Sequence, residues 1–154
     1  MKSNTYPKLS GKGLKIAIVV ARFNQDVTEG LLKDAQEALR EAEVSENDIH
    51  IHWVPGSFEL PVVAAKIAEK GSVDAIVCLG AIIKGGTTHH EYLGRAVAQG
   101  IMRVAMDYKL PVAFGVLTAD TYGQAAQRAQ TGKHNKGYEA AMTAVETALL
   151  LKKM

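Results

Sequence analysis

Runs of branched apolar residues alternate with amphipathic helical segments along this chain, and this alternation constrains the fold more than any other feature. Residues 15–21, "KIAIVVA", are apolar almost throughout, as in a parallel strand that is covered on both faces. Apolar residues then recur at helical spacing among charged ones, which predicts an amphipathic helix over residues 26–43. Such a helix needs an apolar sheet to cover.

The same pattern continues to the C-terminus. It predicts three more strands and four more helices: strands over 48–54, 75–83 and 111–118, and helices over 59–71, 90–109, 124–130 and 138–152. Strictly alternating strands and helices favour parallel pairing with right-handed crossovers. The predicted fold is therefore an α/β class, three-layer α/β/α sandwich around a four-stranded parallel sheet. Ligands of such sheets bind beyond the carboxyl ends of the strands, so functional residues are expected there.

Length and charge exclude several classes of function. A chain of 154 residues has the size of one domain, and we expect a single domain over 1–154 in which residues 1–13 form an N-terminal extension. With 18 basic and 16 acidic side chains, the net charge of +2 provides no electrostatic footprint for nucleic acid or a membrane surface. The sequence also lacks a signal peptide and an apolar stretch near the ~20 residues that cross a bilayer. The single cysteine, Cys78, lies in an apolar run and fits a reducing cytoplasm.

The segment "GGTTHHEY", residues 85–92, joins the third strand to a helix. Gly80, Gly85 and Thr87 have the spacing of a phosphate loop, but Gly86 stands where that motif requires lysine, which argues against a nucleotide triphosphatase. A helix N-terminus with Lys84 nearby can still bind a simple phosphate. A glycine turn before a capped helix explains the segment equally well at this stage.

The histidines do not form a convincing metal site. Successive residues such as His89 and His90 point about 100° apart on a helix, so a proton-transfer role or a surface position is the simpler interpretation. His50 and His52 share one face of a strand but have no third ligand at a defined spacing. We interpret them as polar side chains of an edge strand.

Aromatic residues fall at several strand ends. A core position is the simplest interpretation for each of them, including Trp53. Phe23, Phe58 and Phe114 nevertheless lie where a flat heteroaromatic ligand could stack.

Polar and charged residues accompany these strand ends. Ser57 and Glu59 could bind a polar ring, or Ser57 could simply cap a helix. Arg128 and Lys136 flank a basic loop that suits an anion, although on their own they are ordinary solvated charges.

Five motifs in this order resemble the lumazine synthase family of riboflavin biosynthesis from about residue 14 to the C-terminus. They are "ARFN" (21–24), "WVPGSFELP" (53–61), "GAIIKGGTTHHEY" (80–92), "PVAFGVLTADT" (111–121) and "NKGYEAA" (135–141). The resemblance implies a flavodoxin-like fold and a transferase that condenses 5-amino-6-(D-ribitylamino)uracil with 3,4-dihydroxy-2-butanone 4-phosphate. The products would be 6,7-dimethyl-8-ribityllumazine, phosphate and water, and no metal or organic cofactor is implied.

The resemblance also implies roles for individual residues. His89 would be the catalytic proton carrier, and Arg128 the main cation for the phosphate. The substrate-binding residues would be Phe23, Ser57, Phe58, Glu59, Ala81, Ile82, Ile83, Gly86, Thr87, Phe114, Arg128 and Lys136.

The family builds homopentamers and, in some members, sixty-subunit icosahedral capsids, with each site lying between neighbouring subunits. Phe114, Arg128 and Lys136 would therefore face Phe23 and His89 of the next copy, and residues before Gly11 would add to a neighbour's sheet. Riboflavin synthase is a candidate partner. Neither nucleic acid nor a membrane is expected as a partner.

Two departures from the family pattern bear on the site. The usual motif E-R-A-G-T-K-x-G-N-K-G is "QRAQTGKHNKG" here, so the glycine moves to Gly132 and changes the expected backbone path of the loop. His90 also stands where Phe or Tyr is common. A lumazine- or flavin-binding protein without turnover, and a shell-forming structural protein, are the alternative functions.

Overall fold

The computed structural model describes residues 5–154. It contains four strands and five α-helices, in the order β1 (Ile16–Ala21), α1 (Gln25–Glu41), β2 (Ile49–Val54), α2 (Leu60–Lys70), β3 (Ala75–Ile83), α3 (His89–Tyr108), β4 (Val112–Ala119), α4 (Tyr122–Arg128) and α5 (Lys136–Lys153). Short 3-10 turns over Glu46–Asp48 and Ser57–Glu59 precede β2 and α2. None of the helices between residues 5 and 154 has the length and apolar character to span a bilayer.

All four strands pair in parallel, in the order β2-β1-β3-β4. This confirms the predicted four-stranded parallel sheet and its flavodoxin-like order. The chain leaves β1 for β2 on one side and later returns to β3 on the other side, so the strand order reverses between β1 and β3. In an open sheet of this kind, a crevice forms at that reversal, beyond the carboxyl ends of the two strands.

Residues of β1 alternate between two hydrophobic layers, which explains why its whole sequence is apolar. Ile16, Ile18 and Val20 pack in one buried cluster with residues of α1 and α5. Ala17 and Val19 pack in a second cluster with residues of α2 and α3. The helices therefore cover both faces of the sheet, as the continuous apolar strands predict.

Strand β2 is an edge strand whose side chains are largely exposed. His50 and His52 both lie at the surface, which confirms their interpretation as polar residues of an edge strand. Trp53 is 38% exposed, so the core position expected for it is wrong. An edge strand has a neighbour on one side only, and Trp53 shares a face of β2 with Ile51, which is 37% exposed, so this face of the strand is only partly covered.

Helices α4 and α5 begin two residues earlier than the sequence pattern predicts, because capping residues lie upstream of the apolar repeat. The Thr121 hydroxyl accepts a hydrogen bond from the Gln124 amide at 3.1 Å, and α4 begins at Tyr122 instead of Gln124. The Asn135 side chain caps α5, which begins at Lys136 instead of Tyr138.

The segment before β1 contains no strand among its described residues, 5–13. The Tyr6 hydroxyl donates a hydrogen bond to the Glu139 carbonyl at 2.9 Å, and the Gly11 amide donates to the Ala42 carbonyl at 2.6 Å. These contacts hold the segment against α1 and α5 of its own chain. Its addition to a neighbour's sheet stays a prediction, and residues 1–4 lie outside the described part.

Candidate functional site

A cavity of about 620 Å³ lies beyond the carboxyl ends of β1 and β3, at the point where the strand order reverses. Nine of the thirteen residues singled out in the sequence line it: Phe23, Ser57, Phe58, Glu59, Ala81, Ile82, Ile83, Thr87 and His89. Gly86 lies between two lining residues, Gly85 and Thr87. Segments that follow three different strands therefore converge on one concave surface.

Two aromatic rings at this cavity are far more exposed than core residues. Phe23 is 70% exposed and Phe58 is 65% exposed, whereas most large apolar side chains of β1 and β3 are fully buried. The Phe23 amide donates to the Pro55 carbonyl at 3.1 Å, which fixes the backbone of Phe23 beside the end of β2. Exposed rings that line a concave apolar surface are suited to stacking on a flat ligand.

The turn that carries Ser57, Phe58 and Glu59 packs closely on β3. Ser57 is buried, and a β-carbon built on Gly80 would collide with the Ser57 hydroxyl oxygen. Glu59 Oε2 accepts a hydrogen bond from the Gly56 amide at 3.0 Å. Glycine at position 80 thus lets the turn approach the strand, and one carboxylate oxygen of Glu59 stabilises the turn.

The glycine pair before α3 is not required by the local backbone. Neither Gly85 nor Gly86 has a positive φ, and a β-carbon at either position would meet no atom within 4 Å. A tight turn therefore does not explain this pair. The absence of side chains at these two positions lets a ligand approach the backbone closely, as the anion-site interpretation requires.

Thr87 organises the start of α3. Its hydroxyl accepts a hydrogen bond from the His89 amide at 3.3 Å, and its carbonyl lies 3.4 Å from His90 Nδ1. Both histidines line the cavity, because the cavity curves around the end of the helix. No group of three metal-ligating side chains occurs among residues 5–154.

The other three predicted residues lie away from this cavity. Phe114 on β4 lines an apolar groove of about 760 Å³ between α3 and α5. Arg128 Nη2 lies 3.2 Å from Glu139 Oε2, and Lys136 Nζ lies 3.9 Å from the same oxygen. Arg128 and Lys136 are therefore not solvated charges on their own, and Glu139, which the sequence analysis did not single out, joins them.

The loop between α4 and α5 is held by two polar side chains. Gly132 has a φ of 136° and donates its amide to Asp34 Oδ2 at 2.7 Å. Asn135 is fully buried; its Nδ2 donates to the Gly30 and Gln130 carbonyls, and its Oδ1 accepts from the first two amides after Lys136. The glycine at 132 is needed because its φ lies in the region that other residues rarely adopt.

Four further residues line the cavity and are not among the thirteen that the family resemblance implies: Gly56, Gly85, His90 and Leu93. For two of them, the sequence contains features that indicate a position at the cavity. Gly85 belongs to the glycine pair, and Leu93 lies one helical turn after His89.

The fold and the cavity define an α/β protein with a parallel sheet and a ligand site at the carboxyl ends of its strands. A family model described as 6,7-dimethyl-8-ribityllumazine synthase matches residues 13–152. The chain belongs to this family of transferases, the lumazine synthases of riboflavin biosynthesis. Among solved structures, a de novo designed Rossmann fold protein is similar to this chain, with 16% sequence identity and a TM-score of 0.42. The match covers 74% of this chain and 92% of the designed protein.

Proposed function

We propose that this protein condenses 5-amino-6-(D-ribitylamino)uracil with 3,4-dihydroxy-2-butanone 4-phosphate to 6,7-dimethyl-8-ribityllumazine, phosphate and water. The observation that carries the proposal is the convergence of Phe23, Phe58 and His89 on one cavity next to the N-terminus of α3. Aromatic walls suit the flat pyrimidine, and backbone amides at a helix start suit a phosphate.

In this proposal the two substrates bind to different parts of the cavity. Phe23 stacks on the pyrimidine, while Ser57, Phe58 and Glu59 bind its ring and ribityl chain with the help of the β3 residues Ala81, Ile82 and Ile83. Gly86 and Thr87 bind the phosphate of the butanone. Holding an amine and a ketone together in one orientation can lower the barrier by roughly 7 to 11 kcal/mol.

His89 carries protons during the reaction. The amine adds to the ketone and water leaves, and removal of a carbon-bound proton then accompanies loss of phosphate. Closure of the second ring releases water again. Each step moves a proton to or from nitrogen, oxygen or carbon, and an imidazole is the side chain best suited to accept and return protons in neutral solution.

A neighbouring copy completes the site in this proposal. Phe114, Arg128 and Lys136 lie outside the cavity of their own chain, and an apolar groove runs beside Phe114. Met102 and Met106 in that groove are 60% and 69% exposed, which is typical of a surface that another protein covers. A homopentamer, alone or within a sixty-subunit cage, would bring Arg128 of one copy to the phosphate site of the next.

The cellular setting follows from this activity. We propose a cytoplasmic enzyme that needs no metal or organic cofactor, and riboflavin synthase, which consumes lumazine, as a candidate partner. Neither nucleic acid nor a membrane has a role in the reaction.

A direct assay tests the function. Purified protein is mixed with both substrates, and lumazine absorbance and phosphate release are followed against a control without protein, because the reaction has an uncatalysed background. Both signals should rise faster with the protein. Equal rates with and without protein would contradict the proposal.

Binding without turnover is the second candidate, and the pairing of Arg128 with Glu139 favours it, because that contact engages the cation proposed for the phosphate. A binding protein would hold lumazine and release no phosphate from the two substrates. Phosphate release therefore separates the two functions.

A further inference from the structure

Asn24, directly after Phe23, has a backbone conformation that few residues adopt. Its φ and ψ of 60° and 49° lie in the left-handed region, which asparagine tolerates better than most other residues. Glu43 and Lys109 also have positive φ, but both lie where a helix ends. Asn24 instead precedes α1, so termination of a helix does not explain its conformation.

The side chain of Asn24 does not perform the usual task of an asparagine at this position. An asparagine before a helix commonly accepts a hydrogen bond from an amide of the first turn, but the Asn24 side chain makes no such bond. Its Nδ2 instead donates to the Ala81 carbonyl at 2.9 Å. The side chain therefore connects two segments that are 57 residues apart in sequence.

This bond lies where the sheet can no longer connect β1 to β3. The last paired residues of the two strands are Val20 and Leu79, so Ala81 extends beyond the end of β1. On the other side of β1, the Arg22 amide donates to the Val54 carbonyl at 2.8 Å, at the end of β2. The Phe23 amide donates to the carbonyl of the next residue, Pro55. Residues 22–24 thus tie the ends of three strands together.

The Asn24 bond connects two parts of the cavity wall. The acceptor residue, Ala81, lines the cavity, and so does Phe23, the neighbour of Asn24 in sequence, whereas Asn24 itself is not among the lining residues. We propose that Asn24 is a positioning residue, which holds the Phe23 ring at a fixed separation from the end of β3 and so sets the affinity for the flat heterocycle. This inference rests on the proposed function.

Two substitutions distinguish the effect of the Asn24 side-chain amide from the effect of its left-handed backbone conformation. Asn24→Gly retains easy access to the left-handed region but removes the donor. Asn24→Asp retains the shape but places a carboxylate against the Ala81 carbonyl, where it cannot donate when ionised. Gln25→Ala is the matched control, because Gln25 is exposed and its side chain donates to Glu29 on the same helix, away from β3.

Steady-state kinetics test the inference. Loss of one hydrogen bond that organises the ring site should raise KM for the aminouracil about tenfold in Asn24→Gly and at least as much in Asn24→Asp. The kcat should stay within about threefold of wild type, since the proton carrier is unchanged. Wild-type KM in Asn24→Gly, or equal loss of kcat in all variants, would overturn the inference, and urea midpoints show whether each variant is folded.

Failure of this inference can be distinguished from failure of the proposed enzymatic function. If the wild type forms no lumazine, the enzymatic proposal fails, and the Kd of added 6,7-dimethyl-8-ribityllumazine is measured by fluorescence for the same variants. A Kd about tenfold weaker in Asn24→Gly than in Gln25→Ala would still support Asn24 as the positioning residue. Equal Kd values, or no binding to any variant, would overturn it.

Discussion

Phe23, Phe58 and His89 lie at the surface of one concavity, although a core position is the ordinary expectation for a phenylalanine. The cavity is apolar along β3 and supplied with backbone amides at the start of α3. Phe23, Phe58 and His89 belong to neither of the two buried hydrophobic clusters, so their removal should leave both layers intact. Substitutions at these positions should change kinetics more than stability.

His89 and Arg128 should respond differently to alanine substitution. His89→Ala removes the proposed proton carrier and should lower kcat by about 10²-fold or more without abolishing turnover, because the proposed orientation of the two substrates persists. Arg128→Ala removes the cation proposed for the phosphate and should raise KM for the butanone phosphate by about 10- to 100-fold. Steady-state assays with each substrate varied in turn measure both effects, and full activity of His89→Ala would refute its assigned role.

Gly80→Ala should disturb the turn that carries Ser57. The added methyl would collide with the Ser57 hydroxyl and press on Leu60, at a cost of about 1 to 3 kcal/mol. KM for the aminouracil should rise, because Phe58 and Glu59 move with the turn. Gly86→Ala is the control for stability, since a β-carbon there meets no atom within 4 Å. Equal urea midpoints for the two variants would contradict the argument.

At the scale of elements, α1, α5 and the loop before α5 form one packed unit. A β-carbon on Gly137 would overlap the Leu31 backbone, so the two helices approach too closely for any larger residue. Asn135 joins this unit to the loop through bonds to the Gly30 and Gln130 carbonyls at 3.2 and 3.1 Å. The same loop carries the chain from Arg128 to Lys136, so its path determines where both cations lie.

Asn135→Ala should destabilise this unit strongly. The substitution removes the cap of α5 and leaves the Gly30 and Gln130 carbonyls without that donor, so we expect a loss of about 2 to 4 kcal/mol in the free energy of unfolding. Asn135→Asp retains the cap and should lose less. Urea denaturation measures both values, and an alanine variant as stable as the wild type would show that the loop relaxes to replace these bonds.

At the scale of the whole molecule, stability should fall in alkaline solution. Burial, and then the hydrogen bond to Glu41 at 2.6 Å, raise the pKa of Tyr138 to about 12 from its ordinary value of 10.0. The unfolded chain loses this proton at lower pH than the folded chain does. The stabilisation is therefore complete below about pH 10 and disappears as the pH rises towards 12.

Urea denaturation at pH 8 and pH 11 measures this effect. The wild type should lose more free energy of unfolding between the two values than Tyr138→Phe, which has no phenol to ionise. Equal losses in the two proteins would show that Tyr138 does not contribute. The buried thiol of Cys78, whose pKa burial also raises to about 12, is present in both and does not affect the comparison.

A shared site predicts complementation between inactive variants. If Arg128 serves the cavity of a neighbouring copy, mixed oligomers of His89→Ala and Arg128→Ala should contain intact sites at about a quarter of their interfaces. Activity of a co-expressed and co-purified mixture should therefore exceed that of either parent. Activity no higher than the average of the two parents would place all residues of a site within one chain.

The layered architecture, and the strand ends at which the candidate site lies, could be predicted from the spacing of residues along the chain. The spacing of apolar residues along β1 and α1 is a local property, and the parallel pairing follows from the alternation of such segments. Residues after strand ends, such as Phe23 and Ser57, could thus be assigned to one edge of the sheet before any contact was known.

The side-chain contacts that hold these positions could not be predicted in this way, because they form between distant segments of the folded chain. The approach of Ser57 to Gly80, the bond from Asn24 to Ala81 and the pairing of Arg128 with Glu139 leave no periodic signal in the sequence. The exposure of Trp53 likewise depends on what covers the edge of the sheet. Each of these contacts requires the relative placement of different elements, which packing of the whole chain fixes and local spacing does not.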